Sequence, residues 1–467
     1  MKTMTKCLAA SLVFSCITAV AGDAYIQPVK ADWDVRPIIT VGESAANGYQ
    51  MVGVPDGLGA FNNGDGSLTV LMSHELNADI GVVRAHGGKG AFVSRWVIRL
   101  NDLAVLSGED LVKKVQLWNA GSKVHRTGEL VVFGRLCSAD LAHASAFLDV
   151  DGNGFDGRIL LNGEEEKDPG GRAFAHVVSG ENNGVSYELP HIGRGSWENF
   201  LALPQSGKRT VVIGMDDYAG GHVYVYVGEK RRIGNPAEKA GLVGGALYTV
   251  RFDGERFTLL PLGDVVGIDG KVLRARANAL GATPLLRPED GAWDKLDRNL
   301  FWFATTDKID GQSQLFRMAF DDARNPEKGG RFSAVLTAHD IGGQMFDNVE
   351  ADGAGRVLIN EDPGKNKHAA SIWLFDSKQP NKAERIFEAD AERFVDKTNI
   401  KFMTFDEEQS GIVEVTDEVR SATWFDVNKR YYLGVAQAHL AHPDSALVEY
   451  GQLYIISGPA AVTSVGN

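Results

Sequence analysis

One unit recurs along this 467-residue chain: a turn, an apolar strand, then an acidic or histidine end. It appears as GDGSLTVLMSHE ending at Glu75 and as FDGRILLNGEE ending at Glu165. It returns as GKRTVVIGMDD ending at Asp217 and as DRNLFWFATTD ending at Asp307. The last two are GAGRVLINED, ending at Asp362, and NKRYYLGVAQAH, ending at His439. Partner strands lie between them: RWVIRL, HVYVYVG, LYTVRF, QLFRMAF, SIWLFD and QLYIIS. Runs of Val, Ile, Leu, Phe and Tyr bounded by Gly, Asn and Asp are strand-and-turn punctuation, and helical patterns are scarce. About six such units in series predict an all-β chain, a six-bladed β-propeller forming a single domain.

An apolar strand running directly into carboxylates is unusual, because a buried charge is costly unless it is paired or metal-bound. In a propeller the innermost strands line a central channel, so these recurring strands, read as innermost, have ends that face one another. Six acidic ends brought there repel one another strongly without cations, which points to a metal centre. Any single Asp or Asn after a strand is also an ordinary turn residue. Asp217, Asp307 and His439 are read that way.

Composition removes several functions. The net charge is -13 and no basic run appears, so nucleic acid is not an expected partner. Lys2 and Lys6, the apolar stretch Cys7 to Val20 and the small residues Ala19-Val20-Ala21 read as an export signal over residues 1–21. The propeller then occupies 22–467, with no membrane span and a periplasmic or extracellular destination. Removal of the signal takes Cys7 and Cys16 with it and leaves Cys137 alone. A lone mature thiol is either a small buried hydrophobe or a ligand or nucleophile.

Calcium suits clustered carboxylates because it takes six to eight oxygen ligands in flexible geometry. The segment Asp149-Val150-Asp151-Gly152-Asn153-Gly154 copies the opening of a calcium loop, but Leu160 stands where its bidentate glutamate belongs, so a tight surface turn is expected. Cys137 close to the Glu164-Glu165-Glu166 cluster offers a softer donor, which makes a mixed site with iron chemically sensible. There is no Walker loop, GxSxG elbow, HExxH or CxxC. His74, His176, His222, His368 and His439 have no partner at helical ligand spacing and are read as structural or surface residues.

The segments RLCSADL, LNGEE, LPHIGRGSWENF, VVIGMDD, GALYTVRF, ANALGATPLLRPE, GQMFDNVEADGAGRVLINEDPG and DEEQSGI occur in an order that resembles the PhoX-type alkaline phosphatase family. That resemblance implies a six-bladed propeller hydrolysing phosphomonoesters at iron and calcium ions near the channel mouth. It further implies that Cys137, Glu198 and Glu289 ligate iron. Glu75, Glu164, Asp347 and Glu408 resemble calcium-side carboxylates, and Arg287 resembles the arginine that holds the phosphoryl group. The expected partner is a small phosphorylated substrate and the expected state a monomer. The chain departs from the family pattern at three places. Cys-Ser-Ala stands for Cys-Ala-Gly-Gly, Trp-Glu-Asn for His-Glu-Gly, and Glu361-Asp362-Pro363 for a Thr-Asp-Gly turn. A calcium-dependent lactonase and a calcium-stabilised, non-catalytic binding propeller are therefore the alternatives.

Overall fold

The computed structural model describes residues 23–167, 169–379 and 382–460. The expected export signal lies outside them. Six blades of four antiparallel main strands succeed one another, the third and fourth continuous in one nine-stranded sheet, and their innermost strands are β1 (Pro55–Asn62), β2 (Leu136–Asp140), β3 (Trp197–Ala202), β4 (Pro288–Trp293), β5 (Phe346–Ala351) and β6 (Glu407–Glu414). These six touch in order and β6 returns to β1, so the blades close into a ring around a central channel. The six-bladed all-β propeller is the architecture of the chain.

The ring is fastened by its N-terminal segment. Asp34–Thr40 pairs antiparallel with Glu449–Pro459 as the outer strand of the last blade, and Ile26–Pro28 pairs with the edge of the fifth. Blades three and four are further joined where Arg256 and Phe257 pair with Arg331 and Gly330.

The recurring apolar strands are the second strand of each blade, not the innermost one. Their composition follows from their position, because each is buried on both faces. In Ser67–His74, Leu68, Val70 and Met72 face the sixth blade while Leu71 faces the second. In Leu300–Thr305, Phe301 and Phe303 face the third blade while Leu300, Trp302 and Ala304 face the fifth. Six hydrophobic clusters result, one at each seam between adjacent blades.

Among the described residues helix is confined to short segments and one insertion, α1 (Gly270–Leu280). Asp269 caps its N-terminus by accepting from the Val272 amide at 2.7 Å, and Gly281 ends it at φ 82°. This helix carries Arg274 over the Tyr218 ring and onto Asp216 Oδ1 at 3.1 Å. Asp269→Ala is expected to cost about 1 kcal/mol by loss of the cap. Thermal unfolding checks this, and an unchanged midpoint contradicts it.

Candidate metal centre

The second residue of every innermost strand is a potential ligand: Asp56, Cys137, Glu198, Glu289, Asp347 and Glu408. At or just after that point each innermost strand holds one extra residue relative to its neighbour. Pro55 pairs with His74 but Leu58 with Met72, Trp197 with Asp216 but Phe200 with Gly214, and the other blades repeat the shift. Such bulges bend a strand and re-aim its side chains. Here they accompany a tier of donors on the axis.

The adjacent strands supply a second tier. Because Pro55 pairs with His74, Leu136 with Glu164, Trp197 with Asp216, Pro288 with Thr305, Phe346 with Glu361 and Glu407 with Ala438, the next residues form a matching set. They are Glu75, Glu165, Asp217, Thr306, Asp362 and His439.

Potential ligand atoms in the two tiers approach within 4.8 Å of one another in four linked groups. The groups are Asp56–Glu75–Cys137, Cys137–Glu165–Glu198, Glu198–Glu289–Asp347 and Asp347–Asp362–Glu408. They share Cys137, Glu198 and Asp347, so they form one chain of eight carboxylates and a thiol.

Of the expected site residues, Glu75, Cys137, Glu198, Glu289, Asp347 and Glu408 lie in this chain. Glu164 does not. It accepts from Arg172 Nε and Nη2, each at 2.7 Å, and from the Gly134 amide, while Glu165 faces the centre. Alternation along a strand sends consecutive side chains to opposite sides, so only one of the two can reach the channel.

Among the described residues few cations touch these ligand groups. Arg135 binds Glu75 through Nε at 2.8 Å and reaches Glu165 Oε2 with Nη2 at 2.5 Å. Arg287 binds Asp217 through Nε at 2.6 Å and Nη2 at 2.8 Å, and its Nη2 lies 3.2 Å from Glu289 Oε1. His439 lies between Glu449 at 2.8 Å and Glu408 at 3.4 Å. Asp217 and His439 are therefore part of the centre rather than plain turn residues. Asp307 keeps the turn role, accepting from the Gln312 amide at 2.8 Å. The other singled-out histidines are structural: His74 and His176 are buried, with burial pushing both down to about 3. His222 is buried under the Thr283 carbonyl and His368 pairs with Glu361. The calcium-loop-like segment is a surface turn in which Asp149 accepts from the Asp151 and Asn153 amides.

The electrostatics match a site built to hold cations. Burial pushes Asp56, Glu165, Glu289 and Asp347 up, Glu198 to about 8 and Asp362 to about 7, and in each case neighbouring carboxylates add to the effect. The Cys137 thiol is pushed up by burial and by Asp56. Burial also acts upward on Glu408, but the hydrogen bond from His439 holds it below the ordinary value. Against its own burial, His439 is raised to about 12 by Glu408 and Glu449. Asp56 Oδ1 and Thr306 Oγ1 are buried with no hydrogen-bond partner among the described residues. Oxygen donors in this number suit calcium, and the thiol adds a donor for a transition metal. The residues present fit bound metal ions.

A pH dependence follows. Carboxyls raised in the folded state hold protons that the unfolded chain releases near pH 4, and His439 likewise keeps a proton past pH 6.5. Both make stability fall as pH rises, the carboxyls up to about pH 8 and His439 up to about pH 12. Chelator-treated protein is expected to show a lower urea midpoint at pH 9 than at pH 6. Added divalent cation is expected to remove the difference, since ligands bind metal deprotonated. A midpoint that rises with pH in chelator contradicts this.

A cavity of about 760 Å³ opens at the other end of the channel beside Asp140, Ala202, Trp293, Glu350 and Glu414. A polar layer lies between: Asn199 donates to Asp290 at 2.6 Å, Asp290 accepts from the Val349 amide, and Asn348 donates to Ser138 at 2.5 Å. None of the tier residues lines that cavity.

Fold and site together define a six-bladed propeller with a buried carboxylate and thiol centre at one mouth of its channel. No family model matches the sequence, and no curated protein matches it. Among solved structures, Pseudomonas fluorescens PhoX in complex with vanadate, a transition state analogue, is similar at a TM-score of 0.66 and 14% identity. The match covers 93% of this chain and 96% of that one, a likeness of fold. The Escherichia coli soluble aldose sugar dehydrogenase (TM-score 0.35, 9% identity, 91% and 99% covered) and Trypanosoma rangeli sialidase (0.36, 10%, 92% and 60%) match more weakly. No helix among the described residues is long and apolar enough to cross a membrane.

Proposed function

We propose that the chain is an exported, monomeric, metal-dependent phosphoesterase acting on small phosphomonoesters at an iron and calcium centre in its channel mouth. The observation that carries this reading is the linked chain of eight carboxylates and one thiol, with Arg287 bound to its edge and partly exposed. Its fold likeness to PhoX, a protein solved with a transition state analogue, supports the same reading.

Cys137, Glu198 and Glu289, with Glu165, would hold iron, because a thiolate selects a transition metal over calcium. Asp56, Glu75, Asp347, Asp362 and Glu408 would hold calcium. When bound, such ions supply positive charge for the phosphoryl oxygens and acidify a water molecule. Asp217 fixes the Arg287 guanidinium through two hydrogen bonds on its Nε/Nη2 edge, so that the Nη1 donor left over would meet an equatorial phosphoryl oxygen as charge develops there. His439 keeps a proton on the Glu408 side and limits the negative charge of that edge.

Hydrolysis of an aryl phosphate before and after chelation, run beside a panel of lactones, tests the proposal. Chelator-sensitive release from the phosphate alone is the expected result. Turnover of lactones but not phosphates would assign a lactonase. Chelator-sensitive stability without any turnover would assign a binding propeller.

A further inference from the structure

We propose that Arg135 is a second anion-binding arginine, acting with Arg287 as a pair that grips one tetrahedral dianion at the channel mouth; this rests on the phosphoesterase reading. The two arginines occupy the same place in the repeat. Arg135 stands two residues before Cys137, and Arg287 two residues before Glu289. The other blades carry Val54, Ser196, Met345 and Asp406 there. A propeller sets equivalent positions at one height around its axis. The pair therefore stands two blades apart, with Glu198 belonging to ligand groups on both sides.

Their contacts repeat as well. Each spans two carboxylates of the second strands or the inner tier, Arg135 holding Glu75 and Glu165, Arg287 holding Asp217 and Glu289. Each uses Nε and Nη2 for this, and among the described residues Nη1 of neither makes a hydrogen bond. The Arg135 and Arg287 side chains are 37% and 36% exposed, whereas Glu165, Glu198 and Glu289 are buried. Neutralising Glu75 and Glu165 requires only the occupied edge. A guanidinium fixed by that edge presents its remaining donor in a set direction, which a lysine cannot do.

Two fixed guanidinium groups fit a ligand with three terminal oxygens and two charges, the phosphomonoester or inorganic phosphate. A diester, with two such oxygens and one charge, fits less well. Selection of monoesters over diesters would then reside in Arg135.

The test titrates metal-loaded wild type, Arg135→Lys and Arg135→Gln with inorganic phosphate by calorimetry, alongside metal content and thermal midpoint. Kinetics on an aryl monoester and an aryl diester accompany it. In both variants phosphate binding is expected to weaken about 10-fold or more, with lysine the milder, because a charge-assisted hydrogen bond of fixed direction is lost. KM for the monoester should rise more than kcat falls, and the diester should be little affected. Lysine keeps a charge beside Glu75 and Glu165, so its metal content should match wild type. Phosphate binding unchanged in both variants overturns the inference. So does a loss that only follows loss of metal in the glutamine variant while lysine behaves as wild type. Wild type that binds no phosphate would overturn the phosphoesterase reading itself.

Discussion

Chelation is expected to lower the thermal midpoint of this protein by ~10 °C. Eight carboxylates in linked groups within 4.8 Å leave the folded state strained by like charge, with two arginines and one histidine to offset it. Each ion held at a thousand times its dissociation constant contributes about 4 kcal/mol to the native state. A domain of 150–250 residues shifts by roughly 2–4 °C per kcal/mol, and a longer one by less. Two or three ions therefore account for ~10 °C. Differential scanning calorimetry in chelator, then in excess calcium, measures it. A midpoint unaffected by chelator and by calcium would mean that the two tiers hold themselves together by protonation alone.

Glu289→Gln and Cys137→Ser are each expected to reduce aryl phosphate hydrolysis by ~10²–10³-fold or more without unfolding the protein. Both residues are buried donors in the ligand groups. Removing one positioned electrostatic contact to a developing charge commonly costs that much. Replacing a donor in the chain removes the means of placing such charge. The adjacent pair Glu164 and Glu165 gives the sharpest control. Glu165→Gln should act like Glu289→Gln. Glu164→Gln should leave kcat within a few fold, since Glu164 spends its oxygens on Arg172 and the Gly134 amide. Equal loss in both would contradict the assignment of Glu165 to the centre, and full activity in Glu289→Gln and Cys137→Ser would sink the phosphoesterase reading.

The sequence made the repeat legible but not which strand of each blade it marks. Second strands stand out because burial on both faces makes them continuous apolar runs, as in Thr210–Met215. Innermost strands are hidden by the crowding of the axis, which favours Gly, Ser and Asn. A Cβ on Gly57 would lie 2.1 Å from the Ala139 amide nitrogen, and one on Gly411 2.5 Å from the Asp56 carbonyl oxygen. A signal was nonetheless present. Asp56-Gly57, Cys137-Ser138, Glu198-Asn199, Glu289-Asp290, Asp347-Asn348 and Glu408-Gln409 share one form, a ligand-type residue before a small or polar one. Asp56 shares this form with the five others.

The phase of a period-two strand decides which of Glu164 and Glu165 faces the channel, and two neighbouring glutamates do not report that phase. Asp217 and His439 looked like turn residues because their partners, Arg287 and Glu408, are 70 and 31 positions away in the chain. In the fourth blade the tier position falls on Thr306, one residue before the Asp307 that ends the repeat. Only strand register reveals that slip.

Elemental analysis of the purified, desalted protein addresses the metal centre most directly. Iron together with more than one equivalent of calcium per chain, with the iron reduced in Cys137→Ser and unchanged in Glu164→Gln, is the expected result. Folded wild-type protein free of bound metal, taking up none from calcium- and iron-containing buffer, would contradict it.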